Sequence, residues 1–290
     1  MLLSAVLFTG VGILAKLMGR HYDAFQVAFF RALAGAVLTL PFLLRGGIAA
    51  FRTKRPWLQT MRTFFAATAI AANFYALIHL PLADANAIGF AGTLFLIPLA
   101  ILVLGEQVGI RRITATLVGF VGVLIILRPS PQMEFASLVA LYGALAVSTA
   151  SITVRLLMKT DGIVTLIFYS GVVSTLFLAI PAFSVWQPPT AVDWLVLMTM
   201  GSLAVLSQWI FIHSFELADA SALAPIDYTR IVFAAVAGYF IFGDVPDIWM
   251  MVGASIIVGS TLYITRREAQ LGKEKVPTPP LAPSEPAPSP

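Results

Sequence analysis

Residues 218–247 read ADASALAPIDYTRIVFAAVAGYFIFGDVPD, and this stretch decides the predicted fold. It is apolar along most of its length and long enough to cross a bilayer, yet it carries Asp227 and Arg230 near its middle. Residues 83–108, ADANAIGFAGTLFLIPLAILVLGEQV, are an imperfect earlier copy. A membrane-spanning helix that keeps charge in its interior, once in each half, indicates a membrane protein built from two related halves.

The composition predicts that lipid is the main solvent of this chain. Of its 290 residues, 59% are hydrophobic and 11% are charged, whereas a soluble domain has roughly 25% charged residues. The absence of Cys excludes disulfides and thiolate metal sites, and the three histidines lack metal-ligand spacing. Basic residues in so apolar a chain set membrane orientation more often than they bind nucleic acid. We therefore expect the lipid bilayer as a partner, and no metal, cofactor or nucleic acid.

Apolar segments recur along the chain at the length of membrane helices, roughly 20 residues each. The predicted segments are 2–18, 24–44, 62–80, 85–104, 113–127, 135–158, 163–183, 194–214, 220–242 and 248–264. Short connectors with Gly or Pro separate them. Residues 266–290 turn polar and then Pro-rich, which predicts a disordered tail. The predicted fold class is therefore an all-α integral membrane protein with ten transmembrane helices.

The basic residues predict the orientation of these helices. They concentrate in the even-numbered connectors and after the last segment. The residues are Arg45, Arg52, Lys54, Arg55, Arg62, Arg111, Arg112, Arg155, Lys159, Arg266, Arg267, Lys273 and Lys275. Because positive residues stay on the cytoplasmic side, both termini are predicted to be cytoplasmic, in a bacterial inner membrane.

The two halves align with each other. LADA occurs at residues 82–85 and again at 217–220, and Asn73-Phe74 falls opposite Gln208-Trp209. We expect a first repeat over 1–128, a second over 129–265 and the tail over 266–290. Five crossings in each half would invert the second repeat relative to the first. Inverted repeats place a substrate site near the middle of the bilayer and permit alternating access. A duplication that serves only the scaffold is the alternative.

Motifs along the chain resemble the drug/metabolite transporter superfamily, in its ten-helix EamA-type branch. They are FFRAL (29–33), LPLADANAIGF (80–90), LGEQVGIRR (104–112), GFVGVLIILRP (119–129) and APIDYTRIVFAAVAGYFIFGDVPD (224–247). The resemblance covers nearly all of the chain except the tail. It implies two inverted five-helix repeats around a central cavity, lined mainly by the first to fourth and the sixth to ninth helices. It also implies transport of a small organic metabolite.

Charged residues in the segments are the first candidates for a substrate site. Asp227 and Arg230 share a helical face, either as a self-neutralising ion pair or as cavity groups that receive a zwitterion, with the Tyr228 hydroxyl beside them. Arg31 lies about two turns into the second segment and either snorkels to the interface or faces the cavity. Lys16, near the end of its helix, is predicted to snorkel.

Polar and aromatic side chains on the third and eighth segments complete the predicted site. Phe74 and Trp209 would stack on a flat substrate, and Asn73 and Gln208 would fix its polar edges. Tyr75 lies on one polar stripe of the third segment, together with Thr68, Ala72 and His79. A proton relay through His79, His213 and Glu216 is a further hypothesis, since histidine titrates near neutral pH. Packing of the aromatic stripe, and simple solvation of Glu216, are the alternatives.

Three functions compete at this point. A secondary carrier explains the charges and the repeat. The sequence lacks the GxxxxGK[ST] motif that would indicate ATP-driven pumping. A membrane-embedded enzyme would need a nucleophile–base pair or a metal cluster, which the sequence does not offer. An interaction or assembly protein would explain the packing but not the charges. We predict a carrier, not an enzyme, for an amino acid-, nucleoside- or flavin-like solute that is anionic or zwitterionic.

A homodimer through the fifth and tenth helices is a further hypothesis, because both helices carry closely spaced glycines.

Overall fold

The computed structural model describes residues 1–46, 52–105, 109–128, 135–217, 223 and 226–274. Within these ranges the chain forms helices and no strand. The helices, numbered in chain order, are α1 (Leu2–Met18), α2 (Ala24–Gly46), α3 (Pro56–His79), α4 (Leu82–Gly89 continuing as Ala91–Leu104), α5 (Ile110–Leu127), α6 (Phe135–Leu157), α7 (Ile163–Phe168, Tyr169–Val173 and Ser174–Ser184), α8 (Ala191–Leu217), α9 (Thr229–Ala237 and Gly238–Phe242) and α10 (Ile248–Glu274).

The all-helical, apolar architecture is confirmed. Five helices, α3, α4, α6, α8 and α10, are long and apolar enough to cross a membrane. Shorter apolar helices of 10–17 residues cover Leu2–Met18, Ala24–Leu40, Ile113–Leu127, Tyr169–Ser184 and Thr229–Phe242. The count of ten crossings and their inverted arrangement remain predictions.

Two predicted boundaries are wrong, and one predicted segment is interrupted. α3 begins at Pro56, a full turn and a half before residue 62, because proline is well suited to the first turn of a helix. α10 continues to Glu274, so the helix takes up the first part of the predicted tail, and residues 275–290 lie outside the described residues. The predicted ninth segment is interrupted within its described part, since residues 226–227 are helical, Tyr228 forms a turn and α9 then starts at Thr229.

Two helices change their hydrogen-bond register within the apolar region. In α7 the segment Tyr169–Val173 is a π-helix, and α9 ends in a second one, Gly238–Phe242. Such insertions into α-helices are rare and frequently lie at functional sites. In α7 the insertion lies against α2, where a Cβ at Gly171 would lie 3.3 Å from Thr39 Oγ1.

Close helix crossings occur at glycine, as the spacing of small residues predicts. A Cβ at Gly122 of α5 would lie 2.8 Å from the Gly253 carbonyl oxygen of α10, and a Cβ at Gly253 would lie 2.6 Å from the Gly122 carbonyl oxygen. The two backbones therefore meet directly. This face of each helix is used inside the chain, so a homodimer through α5 and α10 would have to use their other faces.

Polar contacts tie together the end of the bundle where α1, α3, α7 and α9 finish, which we call end A. Lys16 Nζ donates hydrogen bonds to Asp244 Oδ2 at 2.6 Å and to the Leu80 carbonyl at 3.0 Å. Lys16, which was predicted to snorkel, thus places its ammonium at this end of the bundle in a partly buried ion pair with Asp244. The Gln26 amide bonds the backbone N–H and carbonyl of Gln187 at 3.0 and 2.7 Å.

The same end carries an aromatic cluster and a phenol–carboxylate contact. The Trp194 ring meets the Phe30 ring edge-on at 4.7 Å between centroids, and Trp186 packs on the same phenylalanine. Tyr22 donates a hydrogen bond to Asp193 Oδ2 at 2.6 Å, and this bond raises the pKa of the Tyr22 phenol. The opposite end, where α2, α4 and α6 finish, is called end B.

Candidate functional site

A cavity of about 490 Å³ lies in the middle of the bundle. Its described lining comes from α1, α2, α3, α4, α6, α8 and from the start of α9. The polar and charged lining residues are Arg31, Arg62, Asn73, Asn86, Ser151, Gln208, Asp227 and Arg230. Most of the remaining lining is alanine, glycine and large apolar side chains, so the cavity combines an apolar wall with a few polar groups, as small-molecule sites do.

Arg230 lies between two aromatic rings. Its guanidinium carbon is 5.2 Å from the Phe8 ring centre and 4.8 Å from the Phe90 ring centre. A cation over an aromatic face is attracted by the ring quadrupole, and the attraction is stronger away from water. Both Arg230 Nε and Asp227 Oδ1 are buried without a hydrogen-bond partner, and no direct ion pair between the two residues is present within the described part of the chain. Both residues also line the cavity.

Two further arginines line the same cavity. Arg31 faces it from α2, so the arrangement agrees with the cavity-facing alternative rather than with snorkelling. Arg62 is only 8% exposed, although its position beside the basic connector predicts a residue that sets orientation. Its Nη1 donates to the Leu166 carbonyl at 3.3 Å and its Nη2 to Ser170 Oγ, which links α3 to α7.

The amide and aromatic residues divide between the cavity and the surface of the bundle. Asn73, Phe74 and Gln208 line the cavity, with Phe74 3% exposed. Trp209 does not: it is 62% exposed, and its ring stacks on His213 at 5.4 Å. Successive residues of a helix point about 100° apart, so Gln208 faces inward while its neighbour Trp209 faces outward.

The remaining predicted residues also lie outside the cavity lining. The Tyr75 ring stacks on His79 at 4.0 Å, and His79 Nδ1 contacts the Tyr75 carbonyl at 2.9 Å on an exposed face. Tyr228 is buried against Phe90 at 4.7 Å. The structure therefore does not place Tyr75, Trp209, His79 or His213 in the lining with the charged residues, whereas Tyr228 packs on Phe90, the ring that also contacts Arg230. The Glu216 side chain lies outside the described residues.

Sequence reasoning missed Asn86 and the role of Arg62 as lining residues. Asn86 follows the repeated LADA motif, and its Nδ2 donates to the Leu82 carbonyl at 2.7 Å. The position of an amide directly after a duplicated motif was the available signal. For Arg62 the signal would have been an earlier start of α3, which places this residue inside the helix. No group of three or more metal-ligating side chains occurs within the described ranges.

The chain is similar to known proteins along almost its whole length. The model of the EamA-like transporter family matches residues 1–128 and again 134–266. The chain is 30% identical over 281 residues to the S-adenosylmethionine uptake transporter of Rickettsia bellii, covering 95% of both chains. It is 32% identical to the riboflavin transporter of Vibrio cholerae, covering 86% of this chain and 85% of that one.

One solved crystal structure shares the fold, with a TM-score of 0.56 at 17% identity over 92% of this chain and 97% of the other. The family model covers almost all of the chain, and the relatives align along nearly their whole length. The chain therefore belongs to the EamA-like transporter family and is a multi-pass membrane transporter of small metabolites, not an enzyme.

Proposed function

We propose that the chain is a secondary carrier for a small anionic or zwitterionic metabolite with a flat ring, and that the central cavity binds it. The observation that carries this proposal is the charge of the lining, which includes three arginines and one aspartate within an apolar bundle. A charge at this depth costs at least about 2.5–3.5 kcal/mol on insertion scales. An anionic group in the cavity would offset part of that cost.

The aromatic walls support a ring in the substrate. Phe8, Phe74 and Phe211 line the cavity, and Phe90 covers the other side of Arg230. Flat rings gain energy by offset or edge-to-face contact with such side chains. S-adenosylmethionine and riboflavin, the solutes of the two relatives, both contain a fused aromatic ring, so either is a suitable first test compound.

Within this proposal the residues have separate roles. Arg31 and Arg230 bind the anionic group, Asp227 binds a cationic one, and Asn73, Gln208 and Phe74 orient the ring. Tyr75, Trp209 and Tyr228 support the helices around the cavity. Because His79 and His213 are placed away from it, proton coupling through them receives no support from the geometry.

Alternating access is proposed from the way the helices pair. Exchanging each helix of the first half with the helix five places later turns the contact α3–α6 into α8–α1, and α4–α6 into α9–α1, and all four of these contacts are present. The same exchange leaves three further contacting pairs unchanged, namely α5–α10, α2–α7 and α4–α9. This pattern supports two inverted repeats, over 1–128 and 129–265, that rock around a shared cavity. We place end B and both termini in the cytoplasm of a bacterial inner membrane, because the basic connectors lie at end B.

Transport in proteoliposomes tests the proposal. Uptake and counterflow of labelled S-adenosylmethionine and riboflavin are measured with the full chain, with Arg230→Met, and with Arg266→Met, which changes an exposed residue of α10. We expect saturable exchange of at least one compound, a loss of about tenfold or more in kcat/KM for Arg230→Met, and no change for Arg266→Met. An assembly protein without transport activity would show no saturable exchange of any solute.

A further inference from the structure

Arg62 is a buried cation whose position is not explained by helix packing alone. It lies one and a half turns into α3, is 8% exposed, and lines the cavity. No carboxylate lies within ion-pair distance of it within the described ranges. Truly buried charges in proteins are normally paired, because an unpaired charge loses its hydration without compensation. Arg62 therefore retains an unneutralised positive charge at the cavity wall.

The guanidinium is held in place by neutral acceptors. Nη1 bonds the Leu166 carbonyl and Nη2 bonds the Ser170 hydroxyl, both on α7. Ser170 belongs to the π-helical segment of α7. These two bonds fix the plane of the guanidinium, and they leave Nε, which is buried without a hydrogen-bond partner.

Other unpartnered polar atoms occur on the same two helix faces. Gln59 is fully buried, and neither its Nε2 nor its Oε1 has a hydrogen-bond partner. It lies three residues before Arg62, so both side chains share one face of α3. On α7, Ser174 lies four residues after Ser170, is fully buried, and its Oγ is also unpartnered. A buried polar group without a hydrogen-bond partner is destabilising, so these atoms favour a bound partner.

Together these observations fit an oxyanion. A carboxylate or phosphate oxygen accepts hydrogen bonds from N–H and O–H groups, and a guanidinium with a fixed plane matches its geometry. We propose that Arg62, which lines the cavity, forms a subsite for the carboxylate or phosphate of the transported molecule, with Gln59 and Ser174 on the same two helix faces, and that it selects the form of a scaffold that carries this group over the form that lacks it. This inference rests on the proposed function of the cavity.

Two matched pairs of compounds test the subsite. S-adenosylmethionine is compared with decarboxylated S-adenosylmethionine, which lacks the carboxylate, and flavin mononucleotide with riboflavin, which lacks the phosphate. The readout is the ratio of kcat/KM between the members of each pair in proteoliposomes, because a ratio does not depend on the amount of folded carrier. The first pair reports on a carboxylate and the second on a phosphate.

The variants are Arg62→Gln, Arg62→Lys and the control Arg55→Gln, which removes an exposed arginine at the start of the same helix. We expect Arg62→Gln to lower the preference for the member that carries the carboxylate or phosphate, in one pair, by about 10- to 100-fold, Arg62→Lys to restore part of it, and Arg55→Gln to leave it unchanged. If Arg62→Gln does not fold, Ser170→Ala, which frees Nη2 but keeps the charge, is expected to lower the ratio several-fold.

The results that would contradict the subsite differ from the results that would contradict the proposed function. If the unmodified chain transports members of the pairs and Arg62→Gln or Ser170→Ala changes both members equally, Arg62 is structural and the subsite is wrong, while the proposed function stands. If the unmodified chain transports none of the four compounds above protein-free liposomes, both the proposed substrate class and the subsite are overturned.

Discussion

At the scale of single residues, Gln208 and Trp209 are neighbours in sequence that lie on opposite faces of α8. Gln208 lines the cavity and Trp209 is 62% exposed. We expect Gln208→Leu to raise KM about tenfold, because it removes hydrogen-bonding groups that face the solute. Trp209→Leu should leave KM within about twofold, since it removes a ring from the outer face. Initial rates of uptake in proteoliposomes measure both, and equal losses in the two variants would contradict the position of the cavity on α8.

Residue patterns predicted part of this site. Arg31, Asp227 and Arg230 are recognisable because charge in an apolar segment is costly and needs a reason. Arg62 was not predicted to line the cavity, because a cation beside a basic connector is already explained by membrane orientation. Burial and cavity lining depend on which helices pack together, and that information is not local. Tyr75 on α3 and Trp209 on α8, which were predicted to bind substrate, therefore lie outside the cavity lining.

At the scale of helices, the crossing of α5 and α10 depends on the absence of a side chain. We expect Gly253→Ala to lower the free energy of unfolding by about 1–3 kcal/mol, because its Cβ would lie 2.6 Å from the Gly122 carbonyl oxygen. Gly259→Ala, on the same helix with nothing within 4 Å of its added Cβ, is the control. Thermal unfolding of the purified protein in detergent compares them, and a similar midpoint for both variants would show that α10 moves aside without cost.

The existence of the helices was easier to predict than their interruptions and changes of hydrogen-bond register. Apolar length gave every described helix, whereas the turn at Tyr228 and the π segments at Tyr169–Val173 and Gly238–Phe242 were not predicted. A π insertion changes the hydrogen-bond register while the residues stay apolar, so it leaves little trace in a hydropathy pattern. The extension of α10 to Glu274 likewise shows that polar residues can continue a helix beyond the bilayer.

At the scale of the whole molecule, end A is tied by the contact of Lys16 with Asp244 and Leu80. If the halves rock, this contact must break for the cavity to open towards end A. Ala140 lies in the cavity on α6, nearer end A, and the chain has no native cysteine. We expect Ala140→Cys to be labelled slowly by a membrane-impermeant maleimide added at end A, and several-fold faster when Lys16→Met is also present.

The labelling needs two controls. Ser151→Cys, in the cavity nearer end B, should react equally with and without Lys16→Met when the reagent is added at end B. Transport by the doubly substituted chain shows that it is folded. An unchanged labelling rate of Ala140→Cys in the presence of Lys16→Met would mean that the ion pair does not hold end A closed.

The surplus of arginine around the cavity has an electrical consequence. One elementary charge that moves across the whole membrane potential changes the free energy by about 2.3 kcal/mol per 100 mV. If the empty carrier reorients as proposed, part of the surplus positive charge moves through that field, and a bound anion reduces the amount. An inside-negative voltage should therefore hold the empty carrier open to the cytoplasm and slow net uptake more than exchange. Potassium gradients with valinomycin, applied to the same proteoliposomes, measure this difference, and the carrier would then favour swapping one solute for another in an energised cell.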